Sequence, residues 1–340
     1  MRRRTKVAFV LAGGGNLGAI QVGQLRALAE RGVVPDLIVG CSAGAMNGVG
    51  FAHHPDVDGV ERIEAIWHRF AEAPNLVLPG SWLPSPLQLL RKGTAIATHD
   101  NMREHLGEFL GSARTFEELE IAFECVATDV DANAETWFST GDLIEPILAS
   151  SALPSVFPMV TIGGRRYMDG GVLNNVPINR ALELGATQIY VLHMGLHGKP
   201  SHTVKRPLDA AMIAYWIARN GRFARDLSTM PPHVETFVIP PGERPDLKYN
   251  DFRRSRELIE QGYTNAVAFF AEQDRHAEES STARAERLRA ETRRVIDELR
   301  GKVESFRAAR SNDGYVDLGV DDDRAAAEDD GGATVHAGLP

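Results

Sequence analysis

Two short apolar runs, each ending in glycines that open a helix, constrain this chain more than any other feature. Val7-Ala8-Phe9-Val10-Leu11 runs into Gly13-Gly14-Gly15-Asn16-Leu17-Gly18, after which Ile20, Leu25 and Leu28 recur at helical spacing up to Gly32. Leu37-Ile38-Val39 runs into Gly40-Cys41-Ser42-Ala43-Gly44, and small residues at helical spacing follow to about Phe51. An uninterrupted apolar strand is one buried on both faces, as in a parallel sheet. Further strands are predicted at 121–127, 136–138, up to Met168, 188–193 and 236–239. Helices are predicted at 60–71, 143–149, 178–184, 207–219 and 252–270. Thr115 and Glu118 fit a capping box. Alternating strands and helices build a layered, mostly parallel α/β sheet. Residues 74–100, with five proline or tryptophan positions, read as an irregular excursion from it.

The first glycine segment satisfies G-x-G-x-x-G and has two readings. A dinucleotide site would need an acidic residue at the end of the second strand to hold a ribose. Asp36 precedes that strand, and Gly40-Cys41-Ser42 follows it. The other reading is an oxyanion hole. Glycines let backbone N–H groups converge on one point, and a helix start adds unpaired N–H groups and a positive dipole end.

The second segment is G-x-S-x-G between a strand and a helix, the setting of a nucleophile elbow. Ser42 would stand on a strained turn with its hydroxyl at the helix N-terminus. Two bases could serve it. The order Ser42, Asp169, His193 would make a triad, although His193, His197 and His202 follow a strand without a local pattern that singles one out. Asp169 stands at a strand end before Gly170 and Gly171, where a carboxylate can reach across the sheet. A carboxylate titrates near ~3.9 in water, and partial burial can make it a competent base.

Taken together, these blocks resemble the patatin-like phospholipase family in its bacterial form. Leu11 to Gly18 looks like the family's oxyanion segment, and Gly40 to Gly44 matches its nucleophile motif. Ala127-Thr128-Asp129, Ala149 to Pro154, Phe157-Pro158, Tyr167 to Val172 and Asn175-Val176-Pro177 follow in the family's order. The resemblance spans about residues 5–195. It implies a three-layer α/β/α fold and a Ser–Asp dyad, with Ser42 as nucleophile and Asp169 as proton acceptor. Gly13, Gly14, Gly15 and Asn16 would supply the oxyanion hole. It implies hydrolysis of lipid acyl esters through an acyl-serine intermediate, without a cofactor. One departure stands out: the family's basic residue before Gly18 is Leu17 here. A non-catalytic lipid- or acyl-binding protein on the same fold, and a dinucleotide-binding enzyme, are the alternatives.

Charge and cysteines narrow the remainder. The net charge of −9 divides into −6 over residues 1–280, +4 over 281–310 and −7 over 311–340. An acidic body does not suit nucleic acid. Asp129-x-Asp131-x-Asn133 lacks the glycine and glutamate of a calcium loop, since Ala134 and Thr140 stand there. Two cysteines make neither a disulfide framework nor a zinc site, so no metal is expected and the cytoplasm is the expected compartment. The longest apolar run, Ala210–Ala218, is too short to cross a bilayer. We therefore expect a catalytic domain over 1–275, a basic amphipathic helix over 276–310 and a disordered acidic tail over 311–340. Leu288, Thr292, Val295, Leu299, Val303 and Phe306 line one side of that helix. The stripe would pack on the body or on a partner helix, or lie peripherally on an anionic membrane.

Overall fold

Among the residues described by the computed structural model (5–72, 99–195, 207–242, 251–275 and 281–312), eight strands form one sheet. At its centre β1 (Val7–Leu11) lies between β2 (Leu37–Gly40) and β7 (Gln188–Leu192). β3 (Ala122–Asp129) continues the sheet beyond β2, and β8 (Glu235–Ile239) continues it beyond β7; these five strands are parallel. The remaining three make an antiparallel flank. β4 (Ala134–Phe138) and β6 (Arg165–Asp169) both pair with β3, and β5 (Val160–Ile162) pairs with β6. The connections β3–β4 and β5–β6 are too short for a crossover, so those pairs must be antiparallel. Ala8 to Leu11 of β1 are wholly buried, as an uninterrupted apolar run requires.

The helices are α1 (Gly18–Glu30), α2 (Ala43–His53), α3 (Val57–Glu72), α4 (Asp100–Leu110), α5 (Ile144–Ser150), α6 (Ile178–Glu183), α7 (Pro207–Ser228), α8 (Ser255–Arg275) and α9 (Ser281–Asn312). The connections β1–α1–β2 and β2–β3 step across the sheet in one direction, and β7–α7–β8 steps in the other. Right-handed crossovers then place α1 and α2 on one face and α7 on the opposite face. The reversal falls at the carboxyl ends of β1 and β7, where such sheets form their crevice.

Several elements differ from the sequence expectation. α4 and β5 had no clear signal, and α7 continues nine residues beyond 219, to Ser228. The capping box at Thr115 does not form: Thr115 makes no side-chain cap, and the Glu118 carboxylate accepts from the Arg114 N–H instead, at 2.6 Å. The excursion at 74–100 lies outside the described residues up to position 98, and the acidic tail lies outside them from 313.

A compact unit spans Met1–Val303, and a second piece, Glu304–Pro340, is described only to Asn312. Within the first unit, α9 buries Leu288, Ile296 and Leu299 in the core, with Val295 packed at its margin. Those positions of the apolar stripe are thus covered by the protein itself. No helix among the described residues is long and apolar enough to cross a membrane.

α1 is buried on nearly every side, which is unusual for a helix carrying two glutamines. Each glutamine donates to carbonyls at the strand ends, and Gln24 Oε1 is buried without a partner. Gln21 Nε2 donates to the carbonyls of Ala12 and Leu192, both at 2.9 Å, and Gln24 Nε2 donates to that of His193 at 3.1 Å. Asn47 of α2 donates to Gly18 O and Gln21 Oε1, and accepts from the Trp67 indole of α3. This buried network joins three helices to the strand ends, and a partly satisfied version would be costly. α1 also lies directly against α8. A Cβ on Gly23 would collide with the backbone of Ile259 and Tyr263, and one on Gly262 with the Ile20 carbonyl. Gly23→Ala should therefore lower stability by about 1–3 kcal/mol, as overpacking does. Gly107→Ala, on α4 with open space around it, should raise stability by about 0.4–1 kcal/mol. Chemical denaturation of the two variants against wild type measures both.

Candidate active site

Strand register brings the site residues together. Gly40 of β2 pairs with Cys125 of β3, and Ala127 of β3 pairs with Asp169 of β6. Two residues beyond Gly40 is Ser42; two beyond Cys125 is Ala127. Ser42 and Asp169 therefore stand at one level across β3, at the carboxyl ends of the parallel strands.

Ser42 occupies a strained turn, with φ 53 and ψ −123. Positive φ is costly for a residue with a side chain and is kept only where the surroundings enforce it. Here the enforcement is close packing. A Cβ on Gly44 would collide with the carbonyl oxygens of Leu11 and Ala12, and one on Gly40 would come within 2.7 Å of the Gly44 oxygen. The Ser42 N–H donates to Ser150 Oγ of α5 at 2.9 Å, fixing the turn from the other side. Ser42 is half-buried, so its hydroxyl remains reachable.

Asp169 is buried. Its Oδ1 accepts from the Gly171 N–H at 2.7 Å, from the Tyr215 hydroxyl of α7 at 3.5 Å and from the Cys41 thiol at 3.9 Å. The Ser42 side chain, from the neighbouring turn, favours the charged form of this carboxylate. Burial pushes its pKa up to about 6, opposed by the Gly171 N–H, Ser42, Arg219 and Tyr215. Burial raises the Cys41 thiol well above its usual range, with Asp169 adding to the effect, so Cys41 is a neutral neighbour.

The glycine loop packs against this pair. Gly13 and Asn175 exchange hydrogen bonds: the Gly13 N–H donates to Asn175 O, and Asn175 Nδ2 donates to Gly13 O, both at 3.0 Å. The Gly13 N–H, expected among the oxyanion donors, is engaged here in holding the loop. A Cβ on Gly13 would lie 3.2 Å from Ser42 Cβ and 2.6 Å from Asn175 Oδ1. Gly15 follows with φ 57, and Gly15–Leu17 forms a single turn of 3-10 helix ahead of Gly18. The Asn16 side chain donates to the Asp251 carbonyl at 2.7 Å, so it braces the loop. Leu17 is buried in the core and brings no charge to the loop. Gly170 fits closely under the Val126 carbonyl, and Gly171 leaves room for the Tyr215 hydroxyl.

The alternatives meet specific obstacles. His193 follows β7 with its ring stacked on Phe223, centroids 5.1 Å apart, and its Nδ1 accepts from the Gly195 N–H at 3.2 Å. Burial, with Arg219 beside it, lowers its pKa to about 4. Its acceptor nitrogen is thus engaged away from Ser42. His197 and His202 lie outside the described residues. Asp36, the acid nearest the second strand, caps the opposite end of the sheet by accepting from the Val7 N–H at 2.8 Å. That leaves the glycine loop without a ribose ligand from β2. Asp129 accepts from the N–H groups of Asp131 and Ala132 and pairs with Arg165 at 2.8 Å, while Asp131 pairs with Arg166. Among the described residues no group of three or more His, Cys, Asp or Glu is placed to hold a metal.

Four residues near the site had no role in the sequence reading: Ser150, Asn175, Tyr215 and Arg219. Ser150 and Asn175 lie in blocks already noted, but their spacing does not reveal what they bond. Tyr215 and Arg219 sit at or just after an apolar run that reads as plain core, and nothing local marks them.

Comparison with known proteins identifies the family. The family model described as patatin-like phospholipase matches residues 9–182, just over half of the chain. The mouse patatin-like phospholipase domain-containing protein 7 is 32% identical over 191 residues, covering 56% of this chain and 14% of that protein. The lysophospholipase nte1 of Aspergillus terreus is 28% identical over 189 residues, covering 56% of this chain and 12% of that protein. The alignments with these curated relatives therefore take in about one seventh of their length or less. Among solved structures, VipD from Legionella pneumophila is similar at a TM-score of 0.41 and 16% identity, over 79% of this chain and 67% of that one. The family model spans the glycine loop, the Ser42 turn and Asp169 in one match, and the chain belongs to the patatin-like phospholipase family.

Proposed function

We propose that this protein is a serine lipid acyl hydrolase in which Ser42 is the nucleophile and Asp169 the proton acceptor. The observation that carries the reading is the placement, at one level across β3, of Ser42 on a strained and reachable turn and Asp169, a buried carboxylate whose pKa burial pushes up to about 6. We assign the activity to residues 1–275, with the motif blocks inside 5–195. The names of the relatives, phospholipase and lysophospholipase, support an acyl ester of a lipid as the substrate class.

The chemistry follows from the geometry. Asp169 accepts the Ser42 proton as Oγ attacks the ester carbonyl. Negative charge then develops on the former carbonyl oxygen. The glycine loop at Gly14–Asn16 and the Ala43 N–H, at the first position of α2, would receive that charge. Protonated Asp169 returns the proton to the departing alcohol, which leaves an acyl-serine. Water, activated by the same carboxylate, attacks the acyl carbon; Ser42 regains a proton and the fatty acid is released. No step draws on a histidine, a metal or a cofactor.

Two finer points belong to the same reading. Cys41 and Cys125 are free and buried, in keeping with a reducing, cytoplasmic setting. A peripheral contact of 281–310 with anionic lipid would be electrostatic, through exposed Arg289, Arg293, Arg294 and Arg300, since Leu288, Ile296 and Leu299 are buried. Such binding should disappear as salt is raised from low to physiological strength in a vesicle sedimentation assay.

Ser42→Ala should abolish hydrolysis of acyl esters and labelling by a fluorophosphonate. Turnover that survives in Ser42→Ala would sink the assignment, and an unlabelled wild type would favour a lipid-binding protein on this fold. Hydrolysis should also depend on pH through Asp169. Its charged form is the active one, so kcat/KM should fall about tenfold per pH unit below about 6 and level off above it.

Asp169→Asn should be inactive yet more stable. The native pKa of about 6 lies above the usual 3.8, so the folded protein binds the extra proton between those values. Wild-type stability therefore falls as pH rises through that window and stays lowered above it. The variant, which carries no buried charge, should gain on the order of 3 kcal/mol over wild type at pH 7–8 and nothing below pH ~4. Denaturation at three pH values tests this.

A further inference from the structure

Two arginines on α7 sit three residues apart in unlike circumstances. Arg222 is paired twice, with Asp226 at 2.6 Å and Glu135 at 3.1 Å. Arg219 is only 6% exposed, and no carboxylate lies within ion-pair distance of it among the described residues. Its Nε is buried without a hydrogen-bond partner. A buried arginine whose Nε has no partner is expensive, and one kept in place usually answers a nearby negative charge.

The groups around it identify that charge. The Arg219 guanidinium lies over the Tyr215 ring, Cζ 5.2 Å from its centroid, and Tyr215 is one helical turn earlier. The Tyr215 hydroxyl in turn donates to Asp169 Oδ1. Burial raises the Tyr215 phenol well above its ordinary range, so it stays protonated and remains a donor. The charge on Arg219 bears on Asp169, Tyr215, Cys41 and His193. Of the groups facing Asp169, Cys41 comes from the Ser42 turn, and Tyr215 and Arg219 come from α7. Glu135 of β4 acts on the same cluster from further out but is held by Arg222. Among the described residues Arg219 is thus the cation that bears on Asp169, and the glycine loop, with Leu17 buried, supplies none.

We propose that Tyr215 and Arg219 are positioning residues for Asp169: Tyr215 orients Oδ1 toward Ser42, and Arg219 stabilises the ionised carboxylate in its buried setting. This rests on Ser42 and Asp169 being the reacting pair. It also gives α7 a part in the reaction. Once Asp169 has taken the Ser42 proton, Arg219 faces a neutral acid, and its charge favours returning that proton to the leaving alcohol.

The test is the pH profile of kcat/KM for wild type, Arg219→Gln, Arg219→Lys and Tyr215→Phe, each first shown to be folded by circular dichroism. A fluorophosphonate labelling rate at Ser42 is measured over the same pH range. Arg219→Gln should move the acid limb upward by about one pH unit, so that activity falls about fivefold at pH 6 and less than about twofold at pH 8.5. Arg219→Lys should restore the limb. Tyr215→Phe should lower kcat about three- to tenfold with KM unchanged. A folded Arg219→Gln that is labelled at Ser42 and has an unmoved limb would overturn this proposal and leave the Ser–Asp reading intact. An active Ser42→Ala or an unlabelled wild type would overturn both. Should Arg219→Gln not fold, the Lys and Phe variants decide: an unchanged kcat in Tyr215→Phe, with a profile in Arg219→Lys that follows only its loss of folded protein, overturns it.

Discussion

The register of β3 is the constraint on which the candidate site depends. β3 is parallel to β2 on one side and antiparallel to β6 on the other, and it sets Gly40 against Cys125 and Ala127 against Asp169. Ser42 and Asp169 are distant in sequence, and nothing but this strand holds their heights equal. A slip of one residue on either side would turn the side chains to the opposite face of the sheet. The antiparallel flank is thus part of the site's construction. A parallel strand in the place of β6 would run the other way, and its acidic residue would enter the crevice by a different route.

The frame that fixes β1 and β2 is held just as tightly. Gln21 and Gln24 reach from α1 to the carbonyls at the ends of β1, β7 and β8, and Asn47 and Trp67 tie the next two helices to the same point. These bonds satisfy carbonyls that the sheet leaves open at its carboxyl edge, where a crevice would otherwise expose or orphan them. The strain at Ser42 is stored against this frame: Gly44 presses on Leu11 and Ala12, and Gly13 presses on Ser42 itself. Strained residues persist where their surroundings over-determine them, and here buried backbone of Leu11 and Ala12 and the Ser150 hydroxyl hold the turn from two sides.

How much of this could be read in the sequence follows from which features are local. The strands and helices around Gly13–Gly18 and Gly40–Gly44 were legible because glycine punctuates apolar runs, and Asp169 was legible because it sits between a strand and two glycines. α4 carries polar residues on most of its surface and follows a proline-rich stretch, so its periodicity was weak. β5 is three residues long, below what alternation can reveal. The length of α7 was missed because its apolar run ends at Ala218, while its polar second half buries Arg219 and Asn220 against neighbours far along the chain. The engagement of the Gly13 N–H and carbonyl by Asn175 was equally out of reach, since hydrogen bonds across 162 residues leave no spacing to read.

The same physical effect sorts the two candidate bases. Desolvation favours the neutral form of any titratable group. For Asp169 it raises the pKa to about 6, close to the pH at which a proton acceptor must work. For His193 it lowers the pKa to about 4, which leaves an imidazole too weakly basic to draw a proton from a serine efficiently, with its acceptor nitrogen already bonded. A buried pocket therefore suits a carboxylate base and spoils a histidine one. The compensation each receives completes the division. Asp169 has hydrogen-bond donors in Gly171 and Tyr215 and a cation in Arg219. His193 faces that same cation, which opposes its protonation, and it is packed on Phe223 as an apolar ring. A buried setting that places a cation beside both groups favours an ionised acid and disfavours a charged base.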